Sequence, residues 1–150
     1  MNITLKLDDI QFDIERYLNS VNMSPFYNAA GKILTQAVRD NFDTQGAYFN
    51  RGTAWMPLAP STVEQRDKLG LSRDDLLKRR GGDAGLFGSI NFTANSTGVE
   101  VGTNLFYAKY LHFGTKFMPP RPIFPENELP PDVIEDLTDA MARFLKRNFN

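Results

Sequence analysis

The sequence predicts an α+β fold in which a small antiparallel sheet, including a β-hairpin at about 88–103, packs against long α-helices. Three observations predict it. Residues 131–147 repeat apolar side chains at three- and four-residue spacing, residues 24–42 do the same, and residues 88–103 alternate on either side of the turn-forming Asn95-Ser-Thr-Gly98. The 150 residues are about the commonest size for one domain. With 41% hydrophobic residues and twelve Phe, the chain can build one core, so residues 1–150 read as a single domain without repeats.

Taken in order, Ile3, Leu5 and Leu7 alternate with Thr4 and Lys6 as a short strand. Asp8 or Asp9 can cap a helix with Ile10, Ile14, Tyr17, Leu18 and Val21 on one stripe. Ser24-Pro25 places a capping hydroxyl before a proline suited to the first helical position. The helix that follows carries Phe26, Ala29, Ala30, Ile33, Leu34, Ala37 and Val38, and ends before Gly46. Gly46, Gly52, Pro57 and Pro60 make residues 43–60 a long loop, with Trp55 inside it. Ser61-Thr-Val-Glu64 is a capping-box pattern for a short helix from Thr62 to about Leu69. Residues 70–85 mix charges with Gly81-Gly82 and Gly85 and carry no clear element.

In the hairpin, Ile90, Phe92 and Ala94 point one way, and Val99 and Val101 line the return strand. Leu105 to Phe113 reads as a short helix stopped by Gly114. Six of the nine prolines fall between Pro119 and Pro131, so Ile123-Phe124 can form only a short or edge strand. Residues 3–7 and 121–124 are the candidate sheet partners of the hairpin. The final helix has Pro131 in its first turn and Val133, Ile134, Leu137, Met141, Phe144 and Leu145 as its stripe. Its acids come early and Arg143, Lys146 and Arg147 late, which suits the helix dipole.

Composition removes several classes of function. Lys plus Arg (17) balance Asp plus Glu (18), so the net charge of −1 gives no general drive toward nucleic acid or anionic membrane. Without cysteine there is no disulfide framework, thiolate zinc site or thiol nucleophile. The first residues lack the apolar core of a signal peptide, and no apolar run approaches the roughly 18 residues of a membrane helix. The reading is a soluble, non-secreted protein.

Catalytic groupings are lacking. The single histidine, His112, is flanked by Leu111 and Phe113, which offer neither nucleophile nor orienting partner, and no ligand pair stands at i, i+4 from it. It reads as a histidine satisfied by local hydrogen bonds near a helix end. Asp8-Asp9 and Asp74-Asp75 are adjacent pairs whose side chains do not share a site. Gly81-Gly-Asp-Ala-Gly85 lacks the Lys-Ser/Thr of a phosphate loop. No cofactor and no metal are expected. Lys78-Arg79-Arg80 is a short basic run diluted by Asp74, Asp75 and Asp83. Trp55 reads as a plug folding its loop onto the core, or as an interface anchor. Tyr107 and Tyr110, three apart, can share a helix face.

Further motifs point outside the chain. Trp55-Met-Pro-Leu58, then Thr62 and Arg66, Leu77 with Gly85-Leu-Phe-Gly-Ser89, Gly102-Thr-Asn-Leu-Phe-Tyr-Ala108 with Phe113-Gly114, and Pro119-Pro-Arg-Pro-Ile-Phe124 follow one another in order. Together they resemble the phage virion morphogenesis family, which includes tail-completion proteins of contractile-tailed phages of the Mu and P2 type. The likeness covers roughly residues 25–148. Ala84-Gly-Leu-Phe departs from the family's frequent Thr-Gly-x-Leu, and Pro120 stands where Ala is frequent.

The resemblance implies a non-enzymatic structural protein that completes or terminates the tail, or joins head and tail. It would form a homo-oligomeric ring beside tail tube, terminator or head-connector proteins. It would reside in the virion tail or neck, and in the bacterial host cytoplasm during assembly. A ring needs a head-to-tail interface. Trp55, Leu58, Lys78, Arg79, Arg80, Tyr107, Tyr110, Arg121 and Phe124 are the candidate interface residues, with the 43–60 loop and the 70–86 stretch as candidate contacts. Arg121, held between prolines, is suited to bind a carboxylate bidentately, within the fold or across subunits. Two rival readings are a nucleic-acid-binding module using Lys78, Arg79, Arg80 and the aromatics, and a small enzyme using His112.

Overall fold

A computed structural model describes residues 20–78 and 85–149. The strand expected at 3–7, the helix expected over Ile10 to Val21 as far as residue 19, and Arg79 and Arg80 lie outside the described residues, while Val21 itself sits in a bend before the next helix. Helix α1 runs Ser24–Asp43, as its spacing predicts. Its start differs in detail: Asn22 Oδ1 accepts from the Ser24 N–H at 3.1 Å. Asn22 thus covers one orphan donor of the helix start, while Pro25 has no donor to cover. Phe26, Ala30, Leu34, Ala37, Val38 and Phe42 form the buried face. Each such large apolar side chain contributes about 1.5–3 kcal/mol by leaving water. Asn41 is also fully buried on this helix.

Helix α2 spans Pro60–Lys68, and the Ser61 capping box is not used. Ala59 holds the cap position without a side-chain bond, and Pro60 occupies the first turn, where its fixed φ pre-organises the helix start. A single turn, α3 (Leu86–Ser89), replaces the first residues of the expected hairpin. Strands β1 (Asn91–Ala94) and β2 (Val99–Gly102) pair as the predicted hairpin. Asn95 closes its turn: its N–H donates to Gly98 O at 3.0 Å, and its Oδ1 accepts from the Thr97 and Gly98 N–H groups at 2.8 and 3.1 Å. Val99 and Val101 are buried while Asn91 and Thr93 are exposed, so the alternation has the predicted phase.

Helix α4 covers Ala108–Phe113, shorter than the expected 105–113 because residues 106–107 form a turn. Helix α5 covers Pro131–Phe149 and buries Val133, Leu137, Ala140 and Phe144. Among the described residues the sheet has two strands. Residues 121–124 do not join it: Pro119, Pro120 and Pro122 bring no N–H to a ladder. The architecture is α+β.

Two compact units interleave along the chain. Residues 20–35, 92–102 and 131–149 belong to the first, and residues 36–78, 85–91 and 103–130 to the second. In the first, the Phe92 ring lies so close over Gly31 that a methyl group there would fall 2.2 Å from it. The Phe26 and Phe144 rings meet at 6.2 Å. Hairpin and α5 therefore both pack on the first half of α1. The second unit is built around the proline-rich segment 119–124.

Candidate functional site

A segment with so few N–H groups cannot be held by strand pairing, and side chains from distant positions hold it instead. The Arg121 N–H donates to Leu111 O at 2.8 Å, and the Ile123 N–H donates to His112 Nδ1 at 3.1 Å. Pro122 O accepts from Trp55 Nε1 at 2.9 Å and from Asn41 Nδ2 at 3.3 Å. Asn41 also reaches Ile123 O at 3.4 Å, and its Oδ1 accepts from the Phe49 N–H at 3.0 Å. Arg121 returns the connection: Nε donates to Met56 O and Nη2 to Pro57 O, both at 3.0 Å. The Trp55-Met-Pro-Leu58 and Pro119–Phe124 motifs thus meet Asn41, Leu111 and His112 in one knot of hydrogen bonds.

The electrostatics follow from burial. Arg121 is 5% exposed, and burial first, then the nearby Arg66, push its guanidinium below its ordinary value. The expected carboxylate partner is not what it binds. Two carbonyl oxygens of the Trp55-containing loop take the fork instead, because their rigid spacing suits a planar donor pair. His112 is 3% exposed, and burial lowers its pKa, opposed by Glu126 at 3.8 Å from Nε2. Since Nδ1 accepts, the ring is neutral with its proton on Nε2. Its partner lies eleven residues along the chain, not in the local helix end that the sequence suggested.

Trp55 is buried, as the plug reading has it. Its ring meets Phe42 edge-on at 5.8 Å, and Phe42 meets Phe87 at 5.5 Å. Lys78 ends this row, with Nζ 3.8 Å from the Phe87 centroid and 2.7 Å from Asp43 Oδ1. The indole lies directly over Gly46, whose φ of +88° and lack of Cβ admit it; a methyl there would fall 2.3 Å from Nε1. Beside it, Gln45 takes φ +53°. Its carbonyl accepts from the Trp55 N–H at 2.7 Å, and its Oε1 accepts from the Leu76 N–H at 2.8 Å.

The candidate residues therefore divide. Trp55, Arg121 and Phe124 are buried inside the second unit and tie it together. Within this chain they are packed inside rather than presented at the surface. Leu58 and Tyr107 are half-buried, and Lys78 is half-buried in the ion pair just described. Tyr110 is 45% exposed. Tyr107 sits at the cap position of α4, before the helix that Tyr110 occupies.

Sequence reasoning missed two residues. Asn41 was visible only as a polar residue within an apolar helical run. Arg66 is 7% exposed and donates to Ser72 O, Asp75 O and Leu76 O at 2.8, 2.9 and 2.8 Å. It shapes residues 72–76, which carry no periodic signal of their own.

An open groove of about 310 Å³ borders the knot, lined among others by Phe49, Trp55, Pro122, Phe124 and Glu126. Glu126 is its one ionisable side chain, so it holds no acid–base or nucleophile–base pair. Among the described residues no group of three or more His, Asp or Glu is placed to hold a metal, and no helix is long and apolar enough to cross a membrane. What the geometry provides is a groove backed by buried aromatic rings.

The model of the phage virion morphogenesis family matches residues 9–140. The chain belongs to that family. This phage virion morphogenesis protein matches no curated protein and no solved structure. Its membership establishes a part in building the phage particle, and the match spans every motif of the knot.

Proposed function

We propose that the protein completes or terminates the phage tail, or joins head and tail, as a non-enzymatic structural component. It acts as a homo-oligomeric ring in the tail or neck, beside tail tube, terminator or head-connector proteins, and is assembled in the host cytoplasm. Family membership over residues 9–140 carries this reading. The knot supports it: a stiff surface held by buried side chains loses little entropy on docking, and the adjoining groove offers no reactive pair. The experiment is electron microscopy of particles from a phage lacking the gene. Full heads beside separate or overlong tails are expected. Intact infectious particles would overturn the assignment.

A further inference from the structure

Besides Met56 and Leu69, the exposed large apolar side chains described in the second unit fall in one short stretch. Phe106, Tyr110, Phe113 and Phe117 are 79, 45, 67 and 88% exposed. Tyr110 and Phe113 stand three apart on α4 and so share its outer face. Lys109 and Lys116 lie beside these rings, with Nζ 5.0 Å from the Tyr110 centroid and 4.9 Å from the Phe117 centroid. No Asp or Glu occurs from Val101 to Pro125, and neither lysine has a salt-bridge partner among the described residues. Aromatic side chains present about 150–250 Å² each, so these four can bring on the order of 500 Å² to a contact, against about 800 Å² per partner in a standard interface.

The same chain carries the complementary charge. From Glu126 to Ala142 there is no Lys or Arg, while Glu126, Glu128, Asp132, Glu135, Asp136 and Asp139 are all acidic. On α5, Glu135 and Asp139 are one turn apart on the solvent side. Neither acid is in an ion pair among the described residues. The cationic aromatic stretch and the anionic side of α5 are built from different residues, so their pairing between copies is head-to-tail and can propagate or close.

We infer that the Phe106–Phe117 stretch, with Lys109 and Lys116, docks on the Glu135 and Asp139 side of α5 in a second copy of this chain. This rests on the ring reading above, and it moves the contact away from the 43–60 loop, whose Trp55 is committed to the interior. The lysines steer and orient the approach, and the rings supply the area.

Sedimentation velocity on the purified full-length protein tests it. The wild type should self-associate in a concentration-dependent way that weakens at high salt. Lys109→Glu with Lys116→Glu, and separately Glu135→Lys with Asp139→Lys, should each weaken association about tenfold or more, with unchanged circular dichroism. Mixing the two variants should restore the wild-type distribution, because each swapped face then meets an opposite charge. A monomeric wild type, or variants that associate like wild type, would overturn the inference. So would loss in the lysine variant alone, which would mean like faces pairing. The electron microscopy of gene-deleted phage is independent of these results, so failure of the interface and failure of the tail assignment are told apart.

Discussion

His112 makes the fold respond to pH in a direction its geometry sets. Neutral, it accepts the Ile123 N–H; protonated, Nδ1 becomes a donor facing a donor. Because its folded pKa lies below the ordinary value near 6.5, the unfolded chain takes up the proton first as pH falls. Stability from this residue is full above that value and is lost as pH drops from there toward the folded pKa. Between about pH 7.5 and 5.5 the urea midpoint of the wild type should fall more than that of His112→Gln, whose amide oxygen can still accept from Ile123. Arg121 makes a second residue-scale test. Lys offers a point charge where the fork spans two carbonyls, so Arg121→Lys should destabilise by about 1–3 kcal/mol in denaturant titrations.

At the scale of elements, the tight turn after α1 separates backbone strain from packing. Gly46 and Gly52 have nearly equal positive φ, +88° and +90°, but a methyl at Gly52 meets nothing within 4 Å. Gly52→Ala should therefore show only the cost of a left-handed alanine, on the order of 1 kcal/mol. Gly46→Ala should be worse by a further 1–3 kcal/mol or so, since the Trp55 ring must shift; thermal melts would measure the difference.

The contrast shows what was legible beforehand. Helices α1 and α5 and the hairpin phase could be read because periodicity reports directly which face is buried. The partners of Trp55, Asn41, His112 and Arg121 could not, because each bonds to a backbone group tens of residues away or outside any ladder. The capping box at Ser61 misled because a proline one residue earlier already served the helix start. Arg66 showed no signal beyond its motif position, since its three acceptors are carbonyls that any sequence possesses.

For the whole molecule, stability and assembly should come apart by mutation. Lys109→Glu with Lys116→Glu alters exposed side chains only, so the melting temperature should change by no more than about 0.5 kcal/mol allows. Phage titre, assayed by complementation of the gene deletion, should nevertheless drop sharply. An unchanged titre would separate the aromatic face from assembly. Buried residues such as Trp55 are expected to act through protein abundance instead, since loss of one or two kcal/mol shifts the folded fraction that survives in the cell.

The knot around residues 119–124 also has a consequence in time. Its hydrogen bonds join positions 81, 67 and 65 residues apart. At a synthesis rate of about 5–20 residues per second, roughly 3–13 s separate the appearance of Trp55 from that of its acceptor Pro122. Until then Asn41 Nδ2, Trp55 Nε1 and His112 Nδ1 lack the partners they hold in residues 122–123, and the second unit cannot close. Completion of that unit thus reports that translation has passed the proline-rich segment.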